Sequence, residues 1–259
     1  MKRFSLALIF LAVCFGSASA QSFEDIGRPF HSWNWEIMIR RTQVNTKYTI
    51  DYGGTTLNMK FRFDDYRKGA NRWHFENPTL GDMLWVLARL INGKELSNKN
   101  ANGAEQAFGS GFFGWHHITW NAVAKDNLLI SPGISLGDYI FASQRPGGSP
   151  GTVGANTTLD PAGYFFHAGP ALMVTPLVAD GLWIDFSTRL DFTARAGKPS
   201  AGYQPSEGKY KNPAFFGLGA SVKHKGTHLC FTTNYTKMID RGANKDSASR
   251  VDISLGFMF

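Results

Sequence analysis

The last nine residues of this 259-residue chain alternate strictly between apolar side chains and others. Val251, Ile253, Leu255, Phe257 and Phe259 are apolar, and Asp, Ser, Gly and Met stand between them. Because successive side chains of a β-strand point to opposite faces, this period of two predicts a strand with one apolar and one mostly polar face. No other feature of the sequence constrains the fold as strongly.

The same alternation recurs along the chain and predicts an all-β, antiparallel architecture. A Gly53-Gly54 pair predicts a turn between two of the N-terminal segments. Counting every alternating segment gives ten strands, and leaving out residues 33–52 gives eight, which is the alternative. The ten segments are 33–40, 47–52, 57–64, 112–122, 128–140, 164–178, 182–192, 215–223, 227–236 and 251–259.

The connections between the predicted strands alternate in length. Tight turns follow one strand, and long loops rich in Gly, Pro, Asn, Lys and Ser follow the next. This alternation would place all the turns at one end of a sheet and all the loops at the other. The turns lie near positions 125, 180 and 225, and the loops lie at 143–162, 195–212 and 239–248.

At its last strand, which ends on Phe259, the sequence resembles bacterial outer-membrane β-barrels of the OmpX and OmpW type. Short turns on one side and long loops on the other are typical of that architecture. The resemblance implies an up-and-down transmembrane barrel of ten strands, with eight as the alternative. It also implies that Phe257 and Phe259 belong to a signal recognised by the barrel-insertion machinery. No family-specific motif accompanies it.

The N-terminal residues predict export. A basic start, an apolar run over 4–15 and an Ala-x-Ala end at Ala20 indicate a signal peptide over 1–20, which leaves 21–259 as a single barrel domain. A lipoprotein cleavage site before Cys14 is the alternative. No apolar run is long enough for a spanning helix, so we expect an outer-membrane barrel or a soluble exported protein.

Composition agrees with a barrel that has an apolar exterior. The chain is 14% aromatic and 18% charged, and it contains 28 glycines. Its net charge of +7 includes Lys2 and Arg3 of the predicted signal, so the mature chain would carry +5. This basic excess suits anionic outer-membrane lipid and lipopolysaccharide, and we expect no nucleic-acid partner. The mature chain would retain only Cys230, so we expect no intramolecular disulfide.

The longest predicted connection runs from Asp64 to Phe108 and contains a short helical pattern. Asn77-Pro78-Thr79 is a helix start and Asn92-Gly93 a stop, although a hairpin over 83–91 remains the alternative. Such a helix would either pack on the barrel rim or take part in the function of the protein. The apolar residues at helical spacing are Leu80, Met83, Leu84, Leu87 and Leu90.

Charged residues on the polar faces of the predicted strands are the candidate site. A barrel of eight or ten strands is narrow enough for its side chains to fill it. We therefore expect a lumen network of ion pairs, and a small polar pore is the alternative. The main candidates are Lys60, Arg62, Asp185, Arg189, Asp191, Lys223 and Asp252, with Glu36, Arg40, Lys47 and Asp51 on the same faces.

No sequence pattern indicates a catalytic or metal centre. His116 and His117 are adjacent, so on a strand they face opposite sides, and one His228/Cys230 pair is a weak metal signal. No serine shares a strand face with a histidine in a His-x-Ser arrangement. We therefore expect no cofactor, no metal and no enzymatic activity, and a lipid or peptide hydrolase is kept as an alternative.

The predicted function is a structural, adhesive or ligand-binding role through extracellular loops, with lipopolysaccharide and other proteins as the loops' partners. The further alternatives are a barrel subunit of a secretion or surface-assembly system and a soluble lipocalin-like carrier. Basic residues in the predicted loops could pair with lipopolysaccharide phosphates. They are Arg67, Lys68, Arg72, Lys94, Lys99, Arg195, Lys198, Lys209, Lys211, Arg241 and Lys245.

Overall fold

The structure is a computed structural model in which β-strands dominate. A four-residue helix, α1 (Phe23–Ile26), precedes the strands, and a second helix, α2, begins at residue 80 and is described through 84. None of the described helices is long and apolar enough to cross a membrane. The structure describes residues 22–26, 30–46, 49–66, 72–84, 108–143, 160–196, 213–239 and 248–259.

The strands form one antiparallel sheet that closes into a barrel. Consecutive strands are neighbours except β4 and β5, since β4 pairs with β6 instead, and the last strand pairs with the first. Ten strands form the wall, and β5 is a short strand beside β6, so the predicted ten-stranded barrel is confirmed. The strands are β1 (Trp33–Thr46), β2 (Thr49–Asp64), β3 (Trp73–Asn77), β4 (Phe108–Trp120), β5 (Val123–Lys125), β6 (Leu128–Ser143), β7 (Asp160–Ala179), β8 (Leu182–Ala196), β9 (Ala214–His224), β10 (Leu229–Ile239) and β11 (Ala248–Met258).

Two strand assignments from the sequence were wrong, and their errors cancel in the count. The Gly53-Gly54 pair makes no turn, because β2 runs straight through it and both glycines pair with β1. The segments predicted as 47–52 and 57–64 are therefore one strand. Conversely, β3 was not predicted, although Trp73 and Phe75 alternate with polar residues there.

The two ends of the barrel differ as the sequence predicts. We call the end with the connections at 120–128, 179–182 and 224–229 the turn end, and the opposite end the loop end. Because β3 rises from the turn end, the connection from Asp64 to Trp73 also lies there. Arg72, which was predicted in a loop of the opposite end, is therefore at the turn end, and its carbonyl accepts from Asn121.

The strands place apolar side chains outside and polar ones inside. Leu255 is 59% exposed on the outer face, and its cross-strand neighbours Ile39 and Phe231 are exposed beside it. Asp252 and Ser254, on the other face of β11, are buried. The barrel thus has an apolar exterior and a polar interior, the reverse of a soluble protein.

Aromatic side chains cluster on the outer face at the turn end. Trp33 stacks on Phe61 with ring centroids 4.6 Å apart, and Trp73 meets Trp120 edge to face at 4.9 Å. Phe259 is also exposed there, and its backbone exchanges two hydrogen bonds with Trp35. Aromatic belts of this kind mark the boundary between hydrocarbon and water in membrane proteins.

An apolar cluster fills the interior at the turn end, which we call the mouth cluster. Its centre is Trp183, which is fully buried and meets Phe30 edge to face at 5.0 Å. Trp183 lies on the inner face of β8, together with Asp185 and Asp191. Helix α1 supplies Phe23 and Ile26, so the N-terminal segment covers the turn end of the interior. The cluster is Phe23, Ile26, Phe30, Tyr66, Leu129, Leu177, Trp183 and Met258.

Helix α1 is held by its own first turn and by a neighbouring connection. The Ser22 backbone N–H and hydroxyl each donate to the Asp25 carboxylate at 2.9 Å. These bonds lower the pKa of Asp25, which is exposed. In addition, Phe23 N donates to Asp126 O at 3.0 Å, which ties α1 to the β5–β6 turn. Burial in the mouth cluster raises the pKa of Tyr66.

Candidate functional site

The barrel interior above the mouth cluster contains a closed ring of ion pairs. It begins on β2 and β3, where Arg62 bonds to the Asp64 carboxylate and Asp64 bonds to His74 Nδ1. The second ring nitrogen of His74 lies 3.3 Å from Glu76 Oε2. Arg62 also crosses the lumen to bond Asp185 on β8. All of these side chains are buried.

The other half of the ring returns through β1 and β9. Lys60 Nζ lies 2.6 Å from Glu76 and 3.7 Å from Glu36. Lys223 Nζ donates to Glu36 at 2.5 Å and lies 3.1 Å from Asp185, which closes the ring. We call the set the eight-residue ring. It consists of Glu36, Lys60, Arg62, Asp64, His74, Glu76, Asp185 and Lys223.

The charges of the eight-residue ring balance when His74 is an imidazolium. Three lysine and arginine side chains face four carboxylates, so one further positive charge makes the ring neutral. Both ring nitrogens of His74 face carboxylate oxygens, which accept hydrogen bonds and do not donate them. This arrangement favours the doubly protonated ring.

A second group of polar side chains lies deeper in the interior, around Asp191. Tyr139 donates to Asp191 at 2.7 Å, and Arg189 Nε donates to the same oxygen at 3.1 Å. His167 Nδ1 is 3.3 Å from the other carboxylate oxygen. The Arg189 guanidinium lies over the Trp115 ring, 4.5 Å from its centroid. An aromatic wall therefore supports this charged group.

A third group, which we call the arginine cluster, joins α2 to the wall. Asp82 of α2 bonds to Arg40 on β1 and lies 3.5 Å from Arg250 on β11. Arg250 donates to Asp252 at 2.8 Å, and Thr42 donates to the same carboxylate at 2.6 Å. The helix expected from the sequence thus places a charged side chain in the lumen instead of packing only on the rim.

Side chains nearly fill the space between these groups. The cavity among them measures about 20 Å³ and is lined by Arg40, Lys60, Glu76, Trp115 and Arg250, among others. A volume of that size holds about one water molecule. Over the described residues the interior is therefore a packed polar core at this level.

The structure brings the seven main predicted lumen residues into these groups. Lys60, Arg62, Asp185 and Lys223 lie in the eight-residue ring. Arg189 and Asp191 form the second group, and Asp252 belongs to the arginine cluster. Glu36 and Arg40 are buried as well. Lys47 and the side chain of Asp51 lie outside the described part of the chain.

Sequence reasoning missed several members of these groups. His74 and Glu76 were overlooked with β3, although their alternation with Trp73 and Phe75 was a usable signal. Asp82 sits in a helix, where strand alternation gives no inner face, so no sequence signal could have placed it in the lumen. Tyr139, which was not among the predicted lumen residues, is fully buried inside.

The order of a hydrolytic triad occurs once across neighbouring strands. Glu76 pairs with His117, and His117 pairs with Ser135, all on the inner face. Within the described chain, however, His117 Nε2 and Ser135 Oγ have no hydrogen-bond partner, and both residues are buried. A nucleophile needs a hydrogen-bonded base and access to substrate, and this geometry supplies neither.

The metal hypothesis for His228 and Cys230 finds no support in their positions. His228 lies in the β9–β10 turn with a positive φ, and its side chain contacts the Met258 carbonyl, whereas Cys230 is buried on β10. Over the residues that the structure describes, no group of three or more His, Cys, Asp or Glu side chains is arranged to hold a metal.

Comparison with known proteins finds similarity at the level of solved structures alone. No family model matches the chain, and no curated protein sequence matches it. A NanC porin structure aligns with a TM-score of 0.34 and 11% identity, covering 85% of this chain and 98% of the porin.

Two further structures align to a similar extent. Ail, the attachment invasion locus protein of Yersinia pestis, has a TM-score of 0.26 and 7% identity, covering 88% of this chain and 97% of its own. The outer membrane protease OmpT of Escherichia coli has a TM-score of 0.32 and 8% identity, covering 89% and 97%. Similarities this low carry no argument about function.

Proposed function

We propose that the protein is an integral outer-membrane β-barrel whose lumen is closed by ion pairs and which acts through its loop end. The observation that carries this proposal is the inverted polarity of the wall. Large apolar side chains cover the outside, whereas most of the charged residues described on the strands point inward and pair there, with Arg41 and Lys237 as exposed exceptions. Only a surrounding lipid phase makes such an exterior favourable, and pairing of the last strand with the first closes the sheet into a barrel.

The packed interior argues against a constitutive pore. The eight-residue ring links β1, β2 and β3 with β8 and β9 on the far wall, and the mouth cluster lies beneath it. Water and ions would have to displace paired, buried charges to pass, which costs several kcal/mol per ion. We infer that the barrel is a scaffold. Its loop end would carry the adhesive or ligand-binding role, with lipopolysaccharide as the first candidate partner.

Heat-modifiability of the extracted protein tests the membrane location. Unboiled protein in detergent should migrate differently from boiled protein on a gel, because a closed barrel resists unfolding by detergent at room temperature. It should also stay in the membrane pellet after carbonate washing. A protein that leaves the membrane on washing and shows no mobility shift would be a soluble carrier, and the proposal would be wrong.

Planar-bilayer recording separates the closed barrel from a pore. We expect inserted wild-type protein to show no steady conductance under conditions in which a general porin conducts. Steady single-channel steps from wild-type protein that is verified as folded by its gel shift would contradict the closed lumen. They would leave the membrane location intact.

A further inference from the structure

The outer face of the barrel wall carries positive charge without negative charge. Arg41 on β1 and Lys237 on β10 are both exposed there. On the ten wall strands, every other lysine, arginine, aspartate or glutamate whose side chain the structure describes is buried. The described outer face therefore presents two cations and no carboxylate to its surroundings.

Both cations lie toward the loop end of the wall. Arg41 follows Trp33 of the turn-end aromatic belt by eight residues, which is about 26 Å along a strand. Strand tilt reduces this to about 20 Å of height, and the apolar band of an outer-membrane barrel is about 25 Å tall. Lys237 is two residues from the end of β10 at Ile239. Long cationic side chains so placed reach the level of lipid head groups.

Strand register places the two cations within reach of one ligand. Arg41 pairs with Ile253 of β11, and Ile253 pairs with Thr233 of β10. Lys237 lies four residues beyond Thr233, so the Cα atoms of Arg41 and Lys237 are about 16 Å apart. Arg41 Nη1 donates to Thr55 Oγ1 at 3.4 Å. This hydrogen bond is long and exposed, so an anion can displace it.

A groove of about 390 Å³ crosses the outer face from β7 to β10, and we call it the outer groove. Tyr235 lines it, and Lys237 is the next outward-facing residue of β10. Small outward side chains alternate there with large ones, which lowers the surface between them. These side chains are Phe186, Thr188, Leu218, Ala220, Thr233 and Tyr235. The outer groove therefore begins beside one of the two cations.

Two separated cations beside an apolar groove complement an amphiphile with two anionic groups and long chains. Arginine and lysine bind phosphate oxygens through charge-assisted hydrogen bonds. A glycerophospholipid such as phosphatidylglycerol offers one phosphate to such a site. Lipid A, the anchor of lipopolysaccharide, offers two phosphates on a disaccharide and several acyl chains. The charge and the shape of this face therefore favour lipid A.

We propose that the outer face of β7 to β11 and β1 is a binding site for lipid A. Arg41 binds one phosphate, Lys237 binds the other, and one acyl chain lies in the outer groove. The proposal rests on the membrane location proposed above. It deepens the proposed function by assigning lipopolysaccharide a site on the wall strands in addition to the loops.

Native mass spectrometry of the full chain, released from micelles of a neutral detergent, tests the two cations. We expect wild-type protein to bind one molecule of diphosphorylated lipid A saturably. Arg41→Gln and Lys237→Gln should each weaken binding at least fivefold. Lys125→Gln, which removes the same charge from an exposed position at the turn end, should leave the affinity unchanged. Equal affinities of all these proteins, each verified as folded by its gel shift, would overturn the proposal.

Changing the ligand shows whether each cation binds its own phosphate. Monophosphoryl lipid A should bind wild-type protein at least fivefold more weakly than the diphosphorylated form. In one of the two single variants the missing phosphate should cause no further loss, because its partner is already gone. A full further loss in both variants would contradict the pairing. Phosphatidylglycerol that bound as tightly as lipid A would overturn the choice of lipid A as the ligand.

Filling the outer groove tests the position of the acyl chain. Ala220→Phe should weaken lipid A binding at least fivefold, because the larger side chain occupies the groove. Ala168→Phe is the matched control, since Ala168 is exposed on the outer face of β7 and does not line the groove. Equal affinities of the two variants would overturn the role of the groove.

Failure of this inference is separable from failure of the proposed function. A barrel that shifts on heating, resists carbonate and does not conduct, yet does not bind lipid A, would keep its place as a closed outer-membrane protein. It would then lack only the site on the wall. A protein that fails the membrane tests would remove both proposals together.

Discussion

Individual charged residues hold the barrel interior together because each has more than one partner. Arg62 bonds carboxylates on two strands, and Asp185 accepts from Arg62 while it lies 3.1 Å from Lys223. Thr175 donates to the remaining Asp185 oxygen at 2.7 Å. Truncating one such residue leaves its partners buried as unpaired charges. The loss of stability therefore exceeds the contribution of any single ion pair.

Asp185→Ala should therefore destabilise the barrel by about 3–5 kcal/mol, the usual cost of removing one member of a buried ion pair. Urea unfolding in lipid vesicles, followed by tryptophan fluorescence, measures the change. Asp180→Ala is the matched control, because Asp180 is exposed in the neighbouring turn and should change stability by less than about 0.5 kcal/mol. Equal effects of the two variants would contradict the network.

On the lipid-facing surface, adding a charge should destabilise the barrel. Leu255→Arg should cost about 2–4 kcal/mol, because Leu255 is exposed on the outer face within β11. Leu229→Arg, also on the outer face but at the first residue of β10, should cost about 0–1 kcal/mol. Membrane yield and urea unfolding measure both. Normal insertion of both arginine variants would mean that these faces do not contact lipid.

At the scale of elements, α1 covers the turn end of the lumen. Its four residues could not persist as an isolated helix, since helices that short are unstable in water. Phe23 and Ile26 anchor it in the mouth cluster, and Lys225 Nζ donates to the Ile26 carbonyl. The Ser22–Asp25 bonds complete its first turn.

Acidification should loosen α1. Hydrogen bonds from Ser22 lower the pKa of Asp25. A carboxyl whose pKa is lowered on folding stabilises the fold above its unfolded pKa, and that stabilisation is lost as the pH falls through the folded value. Hydrogen exchange at 23–26, corrected for intrinsic rates, should therefore accelerate below the ordinary range of an aspartate pKa. Asp25→Asn should exchange fast already at neutral pH, and Glu24→Gln should not.

At the scale of the whole molecule, closure of the sheet and a packed interior make the wall independent of its long loops. Ten strands close through the β1–β11 ladder from Glu36–Met258 to Thr46–Ala248. The body of the barrel should thus tolerate large changes at its loop end.

Deleting residues 199–210 should leave a folded barrel. The deletion falls between the end of β8 at Ala196 and the start of β9 at Ala214, and surface loops generally tolerate shortening. The gel shift and membrane yield should match those of the full chain. Loss of either would mean that this segment belongs to the barrel body. Lipopolysaccharide binding by the same variant would show whether this loop contributes to the proposed role.

The sequence by itself determined which residues face outward, which face inward and how the two ends differ, because a period of two and the turn signals are local properties. It also determined that the inner charges of β2, β8 and β9 would need partners. The alternation in β3 was overlooked because it covers only five residues, and a turn was wrongly placed at Gly53-Gly54.

Only the tertiary structure decided which charges pair, because their partners lie on strands far apart in the chain. Lys223 bonds Glu36 and Arg62 bonds Asp185 across the lumen, contacts that no local pattern encodes. The structure likewise placed Asp82 between two arginines. That position depends on the closure of the sheet, which brings β1 and β11 together.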